Sequence, residues 1–170
     1  MNTQEFLNDY DERVIALAQH LDLNLEPDFD EDDTYYVANR DDYDTDEEFQ
    51  QEQDDLNKEK EEAREEAIRE VTDELDSIVE NSGNVFDYYG QEYYVLTDDE
   101  ADDMVDRRLD DYLEELVYPE IPEHLRGYFD DEAWKEDAKT DGRGHAISRY
   151  DGNEYEETVN GTTYFIYRID

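Results

Sequence analysis

The chain is expected to fold in the α+β class: several helices, one of them long and acidic, packed on a small antiparallel β-sheet in an elongated body. Three observations point there. Apolar residues recur at three- and four-residue spacing over residues 3–22, 46–80 and 97–118. Short β-branched and aromatic runs flank turn residues at Tyr89-Gly90-Gln91 and Asn160-Gly161. The charge is also too large for a sphere. Fifty-five Asp and Glu against 14 Lys and Arg give −41 on 170 residues, whereas a globule of that length has a radius of gyration of about 15–16 Å. High charge with low hydrophobicity usually means disorder. Fifteen Tyr, six Phe and one Trp, mostly in patterned positions, argue for a folded chain instead.

Residues 3–22 predict a helix with Phe6, Tyr10, Val14, Leu17 and Leu21 on one face, and Asn2 with Glu5 has capping spacing. Over 26–46 acidic turns bound a short strand at 34–38. Residues 46–80 carry the strongest helical signal, through Phe49, Leu56, Ala63, Ala67, Val71, Leu75 and Ile78, with Asn81-Ser82-Gly83 as the stop. Residues 85–96 predict a hairpin. Thr97 and Glu100 form a capping box for a helix to about Tyr118, with Ala101, Val105, Leu109, Tyr112, Leu113 and Leu116 inward and Pro119 ending it. Pro122 opens a short helix, and 130–139 holds another around Ala133, Trp134 and Ala138. Ala146-Ile147, 155–159 and 163–169 predict strands, the last two joined by Asn160-Gly161. Trp134, Tyr155, Tyr164 and Ile166 are the expected core of the C-terminal part.

Residues 1–96 are expected to form an acidic helical region with a hairpin, and 97–170 a helical and antiparallel β region, folding together as one cooperative domain. The acid is uneven: residues 1–133 hold 47 acids and 9 bases, residues 134–170 hold 8 and 5.

The chemistry is sparse. There is no cysteine, hence no disulfide, thiolate site or Cys nucleophile. His20, His124 and His145 are scattered without ligand spacing, and His145 is expected at a strand start. Gly142-Arg143-Gly144-His145 lies between a predicted helix and strand, the wrong order for a phosphate loop, and is expected to be a helix-stopping turn with Gly142 at positive φ. Asp28, Asp30 and Asp32 have EF-hand spacing, but Asp33 stands at the sixth position and Asn39 at the twelfth. A start at Asp42 fails equally, with Glu47 and Gln53. No cofactor, resident metal or enzymatic activity is expected. Fifty-five acids make any one carboxylate pair uninformative, and so little apolar material offers few pockets to desolvate one. No apolar run approaches membrane-spanning length and the N-terminus has no signal-peptide pattern, so a cytoplasmic protein is expected, in the host cell if phage-encoded.

Charge density is the informative feature. Residues 46–80 hold sixteen acids and four bases, about one net charge per 4 Å of helix against about one per 3.4 Å along one DNA strand. The whole −41 matches the phosphates of about 20 base pairs. Such a chain repels nucleic acid and anionic membranes; it suits a basic partner. The expected partner is a basic DNA-binding protein. The carboxylates expected to stand in for phosphates are Asp54, Glu61, Glu62, Glu65, Glu66, Asp73, Asp76 and Glu80 on the long helix, with Asp41, Asp42 and Asp44 before it. Alternatives are an acidic interaction module or chaperone shielding a basic protein, and a halophile-type surface of other function. Assembly as a homodimer stays open.

The stretch from Ile121 to Asp137, including Pro122, Gly127, Tyr128, Phe129 and Trp134, resembles the late segment of ArdA antirestriction proteins. Tyr164-Phe165-Ile166-Tyr167-Arg168 is similar to their C-terminal end, and Tyr36-Val37-Ala38-Asn39 to an early tetrapeptide, without the glycine and tryptophan pattern that follows it in the family. Residues 97–102, 141–145 and 150–152 resemble small acidic phage proteins. The resemblance covers about the last 75 residues, and the long helix lies outside it. It implies inhibition of restriction enzymes by DNA mimicry, and with it a host defence nuclease as the foremost partner.

Overall fold

The computed structural model describes residues 7–27 and 36–170. Among them the helices are α1 (Glu12–His20), α2 (Asp46–Asp76), α3 (Asp98–Tyr112), α4 (Glu123–Arg126), α5 (Asp131–Lys139) and α6 (Arg143–Ile147). The strands are β1 (Ile78–Glu80), β2 (Val85–Tyr88), β3 (Gln91–Leu96), β4 (Tyr155–Val159) and β5 (Thr162–Arg168). The class is α+β. The chain divides into two compact units: Met1–Asp9 with Asn24–Asp76, and Tyr10–Leu23 with Ser77–Asp170.

The second unit holds one five-stranded antiparallel sheet in the order β1-β2-β3-β5-β4. Strand alternation gives it two apolar faces. On one, Leu96, Phe165 and Tyr167 pack with Ala101, Val105 and Leu109 of α3 and Ile147 of α6. Phe86, Val95, Tyr164 and Ile166 belong to the opposite face and are also buried; α1 contacts β3, β4 and β5. In α1, Ile15, Ala16, Leu17 and Ala18 are all buried, so it is enclosed on more than one side, while Val14 and Leu21 are half-buried.

Both expected hairpins form, and Thr97 with Glu100 makes the expected capping box. Several expectations need correction. The expected 3–22 helix is interrupted: Leu7 is helical, 8–11 are not, and a helix begins again at Glu12, where Asp11 takes the Arg13 N–H at 2.8 Å and caps it. Asn2, Glu5 and Phe6 lie outside the described residues. Along α3, Ala101, Val105, Leu109 and Leu113 are buried, but Tyr112 and Leu116 are exposed. A π-turn at Leu113–Val117 inserts an extra residue after Tyr112 and turns Leu116 out of the apolar face.

Ala146 and Ile147 are helical, not extended, and His145 is exposed within α6. Two residues are too few to reveal a period, and Arg108 caps their carbonyls at 3.0 and 3.1 Å. Gly142 does take a positive φ, of 93°, but as the residue before α6. Tyr164 and Ile166 are core residues. Tyr155 is 38% exposed on the edge strand, and Trp134 is half-buried, stacked on Tyr112 at 5.8 Å.

Candidate functional site

Helix α2 owes its length to what it lacks: 31 residues hold neither Gly nor Pro. Thr45 starts it by accepting the Glu48 N–H at 3.2 Å. At about 100° per residue, Phe49, Leu56, Ala63, Ala67, Val71 and Leu75 fall within an arc of about 120°. Ala67, Val71 and Leu75 are buried, and Phe49, Leu56 and Ala63 half-buried.

The acids take the other side. Thirteen of the fifteen α2 carboxylates are exposed and lie within an arc of about 180° opposite the apolar stripe; Asp46 and Glu74 fall outside it. Of the four bases, Lys60 and Arg64 fall within the apolar arc. Lys58 and Arg69 enter the acid arc, Lys58 pairing with Glu62 at 3.3 Å. Asp54, Glu61, Glu62, Glu65, Glu66, Asp73 and Asp76 all belong to this face and are exposed. The net charge of −11 over about 46 Å gives about one charge per 4 Å.

Glu80 does not belong to it. The helix stops at Asp76, and Ile78–Glu80 is the edge strand β1, with Glu80 opposite Phe86. Ile78 and Val79 are β-branched, and pairing with β2 supplies backbone partners that one more helical turn would have supplied otherwise.

Residues 36–45 lie along the first half of α2. No strand forms at 36–38, because the Gln53 side chain takes both backbone groups: its amide donates to the Tyr36 carbonyl at 2.9 Å and its oxygen accepts the Ala38 N–H at 3.1 Å. Thr34, Tyr35 and the 28–32 acids lie outside the described residues. Asn39 caps a 3-10 turn at Arg40–Asp42. Arg40 then grips Asp46 through two nitrogens at 3.0 and 2.6 Å and donates to the Tyr43 carbonyl at 2.8 Å. Tyr43 packs on Phe49 at 6.0 Å. Asp41, Asp42 and Asp44 are thereby held exposed beside the N-terminal half of α2.

Gln53 and Arg40 were the residues that sequence reading missed. Position 53 falls within the apolar arc, so a polar residue there was a readable sign of a backbone clamp; the Arg40–Asp46 pair had no comparable sign.

A cation-rich surface could pair with this face. Among the described residues no three or more His, Asp or Glu are grouped to hold a metal ion, and no helix is long and apolar enough to cross a membrane. No protein-family model, characterised protein or solved structure matches the chain.

Proposed function

We propose that this protein is a phage or mobile-element inhibitor that mimics duplex DNA and occupies the DNA-binding groove of a host defence nuclease, a restriction enzyme or CRISPR effector. The half-cylinder of carboxylates on α2 carries the reading. Its length corresponds to about 13 base-pair steps of duplex. Its acids are aligned by a single rigid helix, with Asp41, Asp42 and Asp44 held beside it by the Gln53 and Arg40 contacts. A chain that gathers like charges this way destabilises itself, and cations of a basic groove relieve that repulsion on binding. Steering by the same field makes capture fast. The action is stoichiometric occupation, with no chemistry performed on the partner.

The test is titration of a candidate nuclease with labelled duplex present, at two salt concentrations. Mimicry requires an apparent inhibition constant that rises in proportion to DNA, with affinity falling steeply as salt increases. A ternary complex that keeps full DNA affinity overturns the reading. Similar binding to several unrelated basic proteins replaces it with a chaperone for basic proteins.

A further inference from the structure

In a chain with 55 acids and 14 bases, an arginine without a carboxylate partner stands out. Two such arginines line one cleft beside the sheet. Arg149 makes no hydrogen bond or ion pair to any described residue. Arg108 bonds only to backbone: its Nη1 donates to the Ala146 and Ile147 carbonyls, and the guanidinium lies over the Tyr94 ring at 5.6 Å. Its Nε and Nη2 have no partner among the described residues.

The cleft has a volume of about 330 Å³, and its walls include Asn81, Ser82, Glu92, Tyr94, Arg108 and Arg149. Three segments build it. Gly83 and Asn84, at φ 64° and 63°, fold the chain back between β1 and β2. Asn84 ties that turn to α3 by donating to Glu100 at 3.2 Å, which fixes Asn81 and Ser82 at the cleft. Arg108 comes from α3. Arg149 follows Ser148, which is buried and donates to the Arg168 carbonyl at 2.6 Å. Neither the Asn81 amide nor the Ser82 hydroxyl hydrogen-bonds to a described residue. Two guanidiniums, an amide and a hydroxyl therefore offer unused donors to one cavity, against one carboxylate, Glu92.

That donor set suits a phosphate monoester. Its charge of about −1.5 to −2 matches two guanidiniums, and its three oxygens accept from several donors at once. A carboxylate brings one charge and two oxygens. The volume lies at the small end of ligand sites, about 300–1,000 Å³, and exceeds what a phosphate group fills, so an organic part would share the cleft with Tyr94. Acids elsewhere on the chain act through water, and salt screens them beyond about 8 Å at physiological ionic strength.

We propose that this cleft binds a small phosphate monoester, with Arg108 and Arg149 pairing with the phosphate and Asn81 and Ser82 completing its hydrogen bonds. The site belongs to the sheet unit and does not depend on what α2 binds.

The probes are adenosine monophosphate, glycerol phosphate, inorganic phosphate and succinate, titrated into the isotope-labelled full chain at about 0.15 M ionic strength and followed by amide NMR. At least one ester binds more tightly than inorganic phosphate or succinate, with shifts centred on 81–85, Tyr94, Arg108 and Arg149. A preference for either ester supports the site and identifies the class of its organic part. Arg149→Gln weakens binding about tenfold or more and leaves the melting temperature unchanged, because Arg149 holds nothing in the fold. Glu92→Gln tightens binding by about two- to fivefold, since a repelling charge is gone. Arg126→Gln removes a charge outside the cleft and leaves binding as it was. Absence of saturable binding by both esters overturns the proposal, as does affinity that survives Arg149→Gln or shifts centred elsewhere. Inorganic phosphate or succinate binding as tightly as both esters also overturns it, because the cleft then selects only charge.

Discussion

Arg13 and Glu100, 87 positions apart, form a two-pronged ion pair, Nη1 to Oε2 at 3.0 Å and Nη2 to Oε1 at 3.1 Å. Glu100 is also the acidic partner in the capping box of α3, accepting the Thr97 N–H at 2.8 Å. Arg13 adds a bond to the Val95 carbonyl at 2.9 Å. The pair thus ties α1, the end of β3 and the start of α3.

That arrangement predicts a specific acid sensitivity. Burial pushes the Glu100 carboxyl up, but the hydrogen bonds from Arg13 and Thr97 and the Arg13 charge outweigh it and hold the group at about 2, below its ordinary 4.5. A depressed folded-state value contributes stability above the ordinary value, and that contribution is lost as pH falls from 4.5 towards 2. Protonation of surface carboxylates acts oppositely, relieving repulsion, so the variant must be compared with wild type at each pH. Glu100→Gln is expected to cost about 1–2 kcal/mol at neutral pH, with the difference shrinking below pH 4. Urea unfolding across that range measures it. A constant difference would show that the charge on Glu100 contributes nothing.

Neutralising the acid face separates binding from folding. Replacing Glu61, Glu62, Glu65 and Glu66 together with Gln is expected to raise thermal stability, since self-repulsion falls. At about 0.2–1 kcal/mol per exposed pair, partner binding weakens by roughly fourfold to several hundredfold. Melting curves and inhibition titrations on the same preparation decide it. Unchanged inhibition would move the binding surface elsewhere.

The Gln53 clamp can be opened alone. Gln53→Glu keeps the shape and the acceptor for the Ala38 N–H but removes the donor to the Tyr36 carbonyl. Faster amide exchange within 36–45 is expected, with α2 still helical and a cost of about 1 kcal/mol. Hydrogen exchange read residue by residue checks it. Unaltered exchange there would mean that Arg40 holds the segment without Gln53.

Gly144 tolerates no side chain. A Cβ there would meet the Gly152 carbonyl oxygen at 2.3 Å and the Asn153 carbonyl carbon at 2.8 Å, both backbone. Gly144→Ala is therefore expected to destabilise by about 1–3 kcal/mol or more. Gly161→Ala, with open space around its Cβ, strains only φ and should cost less. Thermal unfolding of the pair tests the order; the reverse order would mean that the backbone around Gly152 yields easily.

The sequence by itself determined the elements whose signal is local. The 46–76 helix is legible because period and composition agree over 31 residues. Asn160-Gly161 and the Thr97–Glu100 box are legible because each is a short-range chemical rule. The acid face of α2 follows from the same periodicity, which is why seven of the eight carboxylates assigned to the long helix share one side of it. Tertiary contacts decided the rest. Glu80 left the helix because β2 offered Ile78–Glu80 a strand partner. Ala146 and Ile147 became helical because Arg108, 38 and 39 positions away, takes their carbonyls. Tyr36 and Ala38 lost their strand to the side chain of Gln53, 17 and 15 positions on. For Tyr36, Ala38, Ala146 and Ile147 the deciding hydrogen-bond partner lies 15 or more positions away, beyond the turn or two that periodicity reports; for Ile78–Glu80 it is a strand partner six to ten positions on, a pairing that a helical period does not register.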